Sequence, residues 1–399
     1  MTVKGLDALT DLHGQRVLTR VDLNVPMAGG AVSDTSRIMA VVPTIKELSD
    51  KGAKVVLLAH FGRPKGERVP AMSLKPVVSA VSECVGRPVA FADDCVGESA
   101  RAAIDGLGDG GIIILENTRF HKGEEKNTPE FVSELAALGG IFVNDAFSAA
   151  HRAHGSTEGL AHSLPAYAGR AMERELDALQ NALGAPKRPV MAVVGGAKVS
   201  TKIALLENLV TKVDALVVGG GMANTFIYAM GHDVGRSLCE TDQAEVAKRI
   251  IAAAERAGCQ LVLPTDAMVA DKFEAGAPAA EVSLSAPVAG DKMILDVGPD
   301  TVSAIKKVMD GAATLVWNGP LGAFEIPPFD AATVAAARYA AERTEKGMLT
   351  VAGGGDTVAA LVHAGVSDRF SYLSNAGGAF LEWLEGKALP GVEALKRAR

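Results

Sequence analysis

The chain has 399 residues, 48% of them apolar, a net charge of −7 and four cysteines. That length suits two domains better than one, and each half has enough apolar residues for a core of its own. Neither half carries the cation excess of a protein that neutralises many nucleic-acid phosphates, and Cys84, Cys95, Cys239 and Cys259 are spaced like neither a zinc motif nor a disulfide framework. No apolar run is long enough to span a bilayer and the first residues lack a signal-peptide pattern, so the reducing cytoplasm is the expected setting.

In chain order, short apolar and β-branched runs predict strands at Arg16–Val21, Lys54–Ala59, Gly111–Leu115 and Ile141–Val143. A polar-rich helix is expected over Ala171–Leu183, stopped by Gly184 and followed by Pro186 and Pro189. Strands are then expected at Pro189–Val194, Ala215–Val218, Gln260–Leu263, Met293–Leu295, Ala313–Trp317 and Met348–Ala352, with alanine-rich helices such as Gln243–Ala257 and Ala331–Arg343 between them. Runs that are apolar throughout belong to strands buried on both faces, and strand, loop and helix in alternation predict parallel sheets with crossover helices. The fold class is therefore α/β, with two doubly wound domains. The boundary is expected near Glu173–Pro189, where the helix is either a stiff connector or one more crossover.

Ligands of open parallel sheets sit beyond the carboxyl ends of the strands, so the loops after the runs carry the chemistry. In the first half these are Asp22-Leu23-Asn24, His60-Phe61-Gly62-Arg63, Asn117-Thr118-Arg119 and Asn144-Asp145-Ala146-Phe147, with His151-Arg152-Ala153-His154 just beyond. Arg37, Arg63, Arg119 and Arg152, with His60, can converge at one sheet edge. A guanidinium binds phosphate or carboxylate through a planar fork, and several together imply a small ligand with more than one negative charge. One such arginine would be an ordinary surface residue; four near strand ends are not. In the second half the loops are glycine-rich: Gly195-Gly196-Ala197-Lys198, Gly219-Gly220-Gly221, Asn318-Gly319-Pro320 and Gly353-Gly354-Gly355-Asp356-Thr357. Glycine lets backbone N–H groups approach phosphate oxygens, and a helix N-terminus adds partial positive charge. Asp356 stands at such a terminus, either as a cap or as a contact for a metal-bound phosphate tail. No G-x-x-x-x-G-K-[ST] motif occurs, which excludes a P-loop.

Several of these segments, in order, resemble the motifs of the phosphoglycerate kinase family. They are Arg20-Val21-Asp22-Leu23-Asn24-Val25-Pro26, His60-Phe61-Gly62-Arg63-Pro64-Lys65-Gly66, Glu116-Asn117-Thr118-Arg119-Phe120 and the stretch from Asn144 to Arg152. In the second half, the stretch from Gly195 to Ile203, Trp317-Asn318-Gly319-Pro320 and the segment from Gly353 to Thr357 match as well. The resemblance implies two Rossmann-like three-layer domains joined by a hinge helix across a cleft. It places 3-phosphoglycerate on residues 1–172, with the tail 387–399 packed there too, and the nucleotide on residues 173–386. Asp22, Asn24, Arg37, His60, Arg63, Arg119 and Arg152 would bind the acid. Gly196, Lys202, Gly220, Asn318, Pro320, Glu325, Gly353, Gly354, Gly355, Asp356 and Thr357 would serve the nucleotide. Arg37, Lys198, Gly354 and Gly355 would stabilise the transferring group, and Asp356 would contact Mg2+, which accompanies ATP or ADP. A hinge-bending monomer with small-molecule substrates, and no nucleic-acid or membrane partner, is the implied form. Two departures stand out: Phe61 replaces a common leucine, where packing should tolerate it, and Thr201 lies beside Lys202, where it should tune nucleotide affinity at most.

A carboxylate acceptor is already ionised at neutral pH, so no general base is needed, and His60 reads as a hydrogen-bonding ligand. What the reaction needs is alignment, and positive charge to offset the repulsion between two anions. Another α/β kinase acting on a hydroxyl would need a base. A catalytically dead sensor would be expected to lack Arg37, Lys198 or Asp356, and all three are present.

Overall fold

The computed structural model describes residues 3–398. The chain forms two units, one built from residues up to 176 together with those from 388 onward, the other from residues 177–387. In the first unit, besides a short antiparallel hairpin of Met27–Ala28 and Ala31–Val32, the strands are β1 (Arg16–Arg20), β2 (Lys54–Leu58), β3 (Val89–Ala92), β4 (Ile112–Leu115), β5 (Ile141–Asn144) and β6 (Ala166–Ala168). They make one parallel sheet in the order β3-β4-β2-β1-β5-β6. Val17, Val55, Leu57, Ile112 and Ile114 pack with Ile38, Val41 and Ile45 of the helix Ser36–Asp50 and with Val81 of the helix Val78–Val85. Their strand neighbours Leu18, Val56, Leu58, Ile113 and Leu115 are buried as well, as double-sided burial requires. Phe61 packs at the margin of this core.

The second unit contains β7 (Val190–Val194), β8 (Ala215–Val218), β9 (Gln260–Val262), β10 (Asp266–Ala270), β11 (Ala280–Ser283), β12 (Met293–Val297), β13 (Thr314–Asn318), β14 (Leu349–Gly353) and β15 (Tyr372–Ser374). Its main sheet is parallel, in the order β9-β8-β7-β13-β14-β15. Within this unit that is the 3-2-1-4-5-6 order of dinucleotide-binding folds, and the direction of winding reverses between β7 and β13. One expectation fails here. The run at Met293–Leu295 is not a parallel strand of this sheet but part of β12, in a separate antiparallel sheet ordered β11-β10-β12. An apolar run indicates a strand without indicating its partner, and this one is only half-buried along Met293–Leu295.

The expected connecting helix runs over Arg170–Leu179 and widens into a turn over Gln180–Gly184. Its first turn is held to the first unit, because Oδ1 of Asp145 accepts from the backbone N–H groups of Ala171 (2.8 Å) and Met172 (3.0 Å). The Arg170 guanidinium also donates to both oxygens of Glu47, at 2.8 and 2.9 Å. Beyond 387 the chain forms the helix Pro390–Arg397, and the N–H of Gly391 donates to the carbonyl of Ala150 at 2.9 Å. No helix among the described residues is long and apolar enough to cross a membrane.

Candidate active site

In the first unit the loops after β1, β2, β4 and β5 meet at the carboxyl edge of the sheet. Asp22 organises the first of them. Its Oδ2 accepts from Nη1 of Arg37 (2.8 Å) and from the Ser148 hydroxyl (2.6 Å), and its Oδ1 accepts from the N–H of Asn24 (3.0 Å). Asn24 in turn accepts from the N–H of Gly62 (3.0 Å), and the Gly62 carbonyl accepts from Nη1 of Arg119 (2.8 Å). Asn117 pins the same loop by accepting from the N–H groups of Phe61 (3.2 Å) and Arg119 (3.1 Å). Asp22, Asn24, Arg37, His60 and Arg119 are thus joined through one set of loops, whereas Arg63 stands exposed beside Gly62.

Beneath these loops lies a cluster of cations. Arg20 is 1% exposed; Nη2 sits 2.8 Å from Nδ1 of His60, and Nε donates to the Ser156 hydroxyl at 3.0 Å. A guanidinium can only donate, so Nδ1 of His60 accepts and the ring proton resides on Nε2. Burial, with the charges of Arg20, Arg119 and Arg152, holds His60 well below the usual histidine range. Burial and the same three arginines lower His154 to about 3. Arg119, 4% exposed, is lowered to about 10 by burial and then by Arg152. The charge of Arg152 contributes to the lowering of Arg20, His60, Arg119 and His154, which puts it near all four. The buried counter-ion is Glu124, which accepts from the N–H of Ser156 (2.9 Å) and from its hydroxyl (2.5 Å). Sequence reasoning assigned no role to Arg20, Glu124, Ser148 or His154. An arginine closing an otherwise apolar strand was a signal for the first; Glu124 was hidden in the charged run Lys122–Lys126, which looks like a solvated helix face.

In the second unit the loops after β7 and β13 touch at the winding reversal. A Cβ on Gly195 would lie 1.8 Å from the Pro320 carbonyl oxygen, and one on Gly319, whose φ is +104°, would lie 2.1 Å from the Gly195 carbonyl oxygen. Only hydrogen fits on either side. Lys202 crosses this junction: Nζ donates to the carbonyl of Gly195, to Oδ1 of Asn318 (2.7 Å) and to the Asn318 carbonyl (3.3 Å). Burial lowers Lys202 to about 8, against an opposing pull from Asp356. Asn318 donates through Nδ2 to the carbonyl of Gly353 (2.7 Å), and the Thr357 hydroxyl accepts from the N–H of Gly319 (2.7 Å). Gly354 forms the cap of the helix Gly355–His363, so Asp356 is not its capping residue; its exposed carboxylate makes no hydrogen bond among the described residues. Lys198 is exposed, and the Thr201 hydroxyl donates to its carbonyl at 2.8 Å.

A pocket of about 540 Å³ adjoins this junction, lined by Gly196, Gly220, Pro320, Glu325 and Asp356 among others. Its remaining wall is largely apolar and includes Leu238 and Phe273, half or more exposed, which sequence reasoning did not single out because an isolated apolar residue in a loop carries no signal. The slot is apolar along one wall and ends beside glycine amides, which can receive an anion.

The phosphoglycerate kinase family model matches residues 6–387. The chain belongs to the phosphoglycerate kinase family. It is 66% identical over 398 residues to the phosphoglycerate kinase of Rhizobium meliloti (strain 1021), covering 100% of both chains. It is 64% identical over 392 residues to that of Methylorubrum extorquens (strain PA1), covering 98% of each. Among solved structures, phosphoglycerate kinase from Coxiella burnetii matches with a TM-score of 0.92 and 42% identity over 100% of both chains. The enzyme from Pyrococcus horikoshii OT3 matches with 0.81 and 31% over 98% of each. The chain is accordingly a kinase that transfers phosphate between ATP and 3-phosphoglycerate.

Proposed function

We infer that the first unit holds 3-phosphoglycerate and the second holds the nucleotide, and that a carboxylate oxygen of the acid takes the γ-phosphoryl group of ATP to give 1,3-bisphosphoglycerate and ADP, reversibly. The observation that carries this reading is the crowding of arginines in the first unit: burial, with the charge of Arg152 beside it, lowers Arg20, Arg119, His60 and His154 alike, while Nη2 of Arg20 lies 2.8 Å from His60. Cations held together out of water are unfavourable alone, and a multiply charged anion relieves them. Arg119 and Arg152 would grip the acid, with Arg63 closing over it from the exposed loop. Neutral His60 would donate from Nε2, and Asp22 and Asn24 would orient Arg37 and the Gly62 loop.

In the second unit the amides around Gly196, Gly220, Gly353 and Gly354 and the ammonium of Lys202 would receive the phosphates, with Asn318, Pro320 and Thr357 shaping the junction and Glu325 at the pocket wall. Arg37, Lys198 and the amides of Gly354 and Gly355 would offset charge on the moving group, where such contacts gain strength once water is excluded. Mg2+ would travel with the nucleotide. The free carboxylate of Asp356 suits a cation that takes one protein oxygen beside phosphate oxygens, and bound there it would neutralise the phosphate tail. Reaction requires the attacking oxygen and phosphorus at roughly 3–3.5 Å, so turnover includes closure of the units about the helix Arg170–Leu179. We take the working form to be a monomer, and the four free thiols suit a reducing cytoplasm.

The test is a coupled assay in which 1,3-bisphosphoglycerate feeds a dehydrogenase that oxidises NADH. NADH loss should require ATP, Mg2+ and 3-phosphoglycerate together. Transfer to glycerate or a sugar at comparable rates, or activity undiminished by a chelator, would refute the assignment.

A further inference from the structure

The loops after β3 and β4 bring together three side chains that neither ligand site uses. β3 ends at Ala92 and is followed by Asp93-Asp94-Cys95; β4 ends at Leu115, and its loop passes through the turn Thr118–Phe120 to His121. Ala92 pairs with Leu115, so both loops leave the sheet side by side. A carboxylate oxygen of Asp94, Sγ of Cys95 and a ring nitrogen of His121 all lie within 4.8 Å of one another. Oδ1 of Asp94 sits 2.7 Å from Nε2 of His121 and accepts from the N–H of Cys95 at 2.7 Å. The imidazole stacks on Phe131 with centroids 5.3 Å apart, which restrains its plane. The Cys95 side chain is fully buried, is a free thiol and lies against two polar groups. Asp94 and His121 remain about a third exposed, which leaves a path from solvent.

Thiolate, imidazole and carboxylate form a donor set that favours a borderline-soft cation such as Zn2+ and disfavours Mg2+ or Ca2+, which take oxygen ligands. Three protein donors leave a fourth tetrahedral position for water. We propose that Asp94, Cys95 and His121 form a binding site for a zinc-class divalent cation, separate from the magnesium that accompanies the nucleotide. On binding, the thiol proton passes to solvent and the Sγ lone pair goes to the metal. In the free chain Nε2–H of His121 donates to Asp94 Oδ1; on binding, Nε2 gives up that proton and Nδ1 carries one instead, so the imidazole stays neutral and the Nε2 lone pair and Asp94 Oδ1 both turn to the cation.

The test uses the full-length, metal-free chain titrated with Co2+ in the absence of nucleotide. A thiolate-to-cobalt charge-transfer band and the intense visible bands of tetrahedral cobalt should grow to saturation at a single equivalent and vanish on addition of Zn2+. Cys95→Ser should abolish the charge-transfer band and Cys84→Ser should leave it. His121→Ala and Asp94→Asn should raise the half-saturating cobalt concentration by on the order of 10–100-fold or more, since losing mere outer-shell partners already costs that much. Circular dichroism identifies the folded variants, and if Cys95→Ser does not fold, His121→Ala and Asp94→Asn carry the test. No band in the parent chain, the same band in Cys95→Ser, or an unchanged half-saturation point in His121→Ala would overturn the proposal.

Discussion

Replacing Gly319 by alanine tests whether the contact between the β7 and β13 loops shapes the nucleotide site. The added methyl would lie 2.1 Å from the Gly195 carbonyl oxygen. An ordinary carbon–oxygen contact is about 3.3–3.6 Å, so the loops must separate by more than about 1 Å. The overpacking costs about 1–3 kcal/mol. A left-handed φ for a non-glycine residue adds about 1–2 kcal/mol. The sum is below the ~5–15 kcal/mol of a typical fold, so the variant should still fold, with a lower Tm. A 1 Å misplacement of reacting groups costs on the order of 100-fold in rate, and that is the expected loss in kcat/KM for ATP. The control is Gly347→Ala: Gly347 has a φ of +97° but nothing within 4 Å of the added carbon. It bears the backbone strain without the collision, so it should lose stability and keep nucleotide affinity. The coupled assay and ADP calorimetry on both variants decide the matter. A folded Gly319→Ala enzyme with near-parental ADP affinity and turnover, or equal kinetic losses in the two variants, would refute the reasoning.

Arg37→Ala should lower kcat by on the order of 100–1,000-fold while ADP affinity by calorimetry stays near the parental value, because the guanidinium would act on the transferring group; equal losses in both would remove that role. Lys202→Ala should weaken ADP and ATP binding by about 1.5–3 kcal/mol, the usual worth of a hydrogen bond to a charged group, and unchanged affinity would refute the assignment. Lys202 titrates near 8 in the folded chain against an ordinary 10.5. The unfolded chain therefore holds more protons between those values, so folding stability should rise with pH across that window, and Lys202→Ala should flatten the rise in denaturant titrations. Nucleotide phosphates would restore the lysine's proton, so ADP binding near pH 8 should take up protons, visible as a dependence of calorimetric heat on buffer ionisation enthalpy. Glu124→Gln leaves the buried Arg20 without its nearby carboxylate and should cost about 3–5 kcal/mol of stability in the first unit, read as a lower Tm by calorimetry.

Much of the architecture is written locally. Runs such as Val190–Val194 or Ile112–Leu115, apolar on both faces, admit only a strand covered by helices on each side, and the loops that follow them announce arginine chemistry in one half and glycine chemistry in the other. Of the strands that escaped notice, β3, β6, β11 and β15 are short and lie at sheet edges, where one partner and partial burial leave a weak apolar pattern; β10, central in its sheet and largely buried, was missed because Asp266 opens it straight after the turn that ends β9. Which strand lies beside which is not local at all. Met293–Leu295 reads as a sheet strand in either pairing, and only packing against β10 made it antiparallel. Likewise Arg20 and Glu124 are 104 positions apart in sequence, and nothing in either segment names the other; they share a buried network through Ser156 because β1 and the loops after β4 and β5 converge at one edge of the same sheet. Residue type sets what a segment can do and which of its faces avoids water. Long-range pairing, a balance of buried area and chain entropy over the whole unit, sets which charges finally meet.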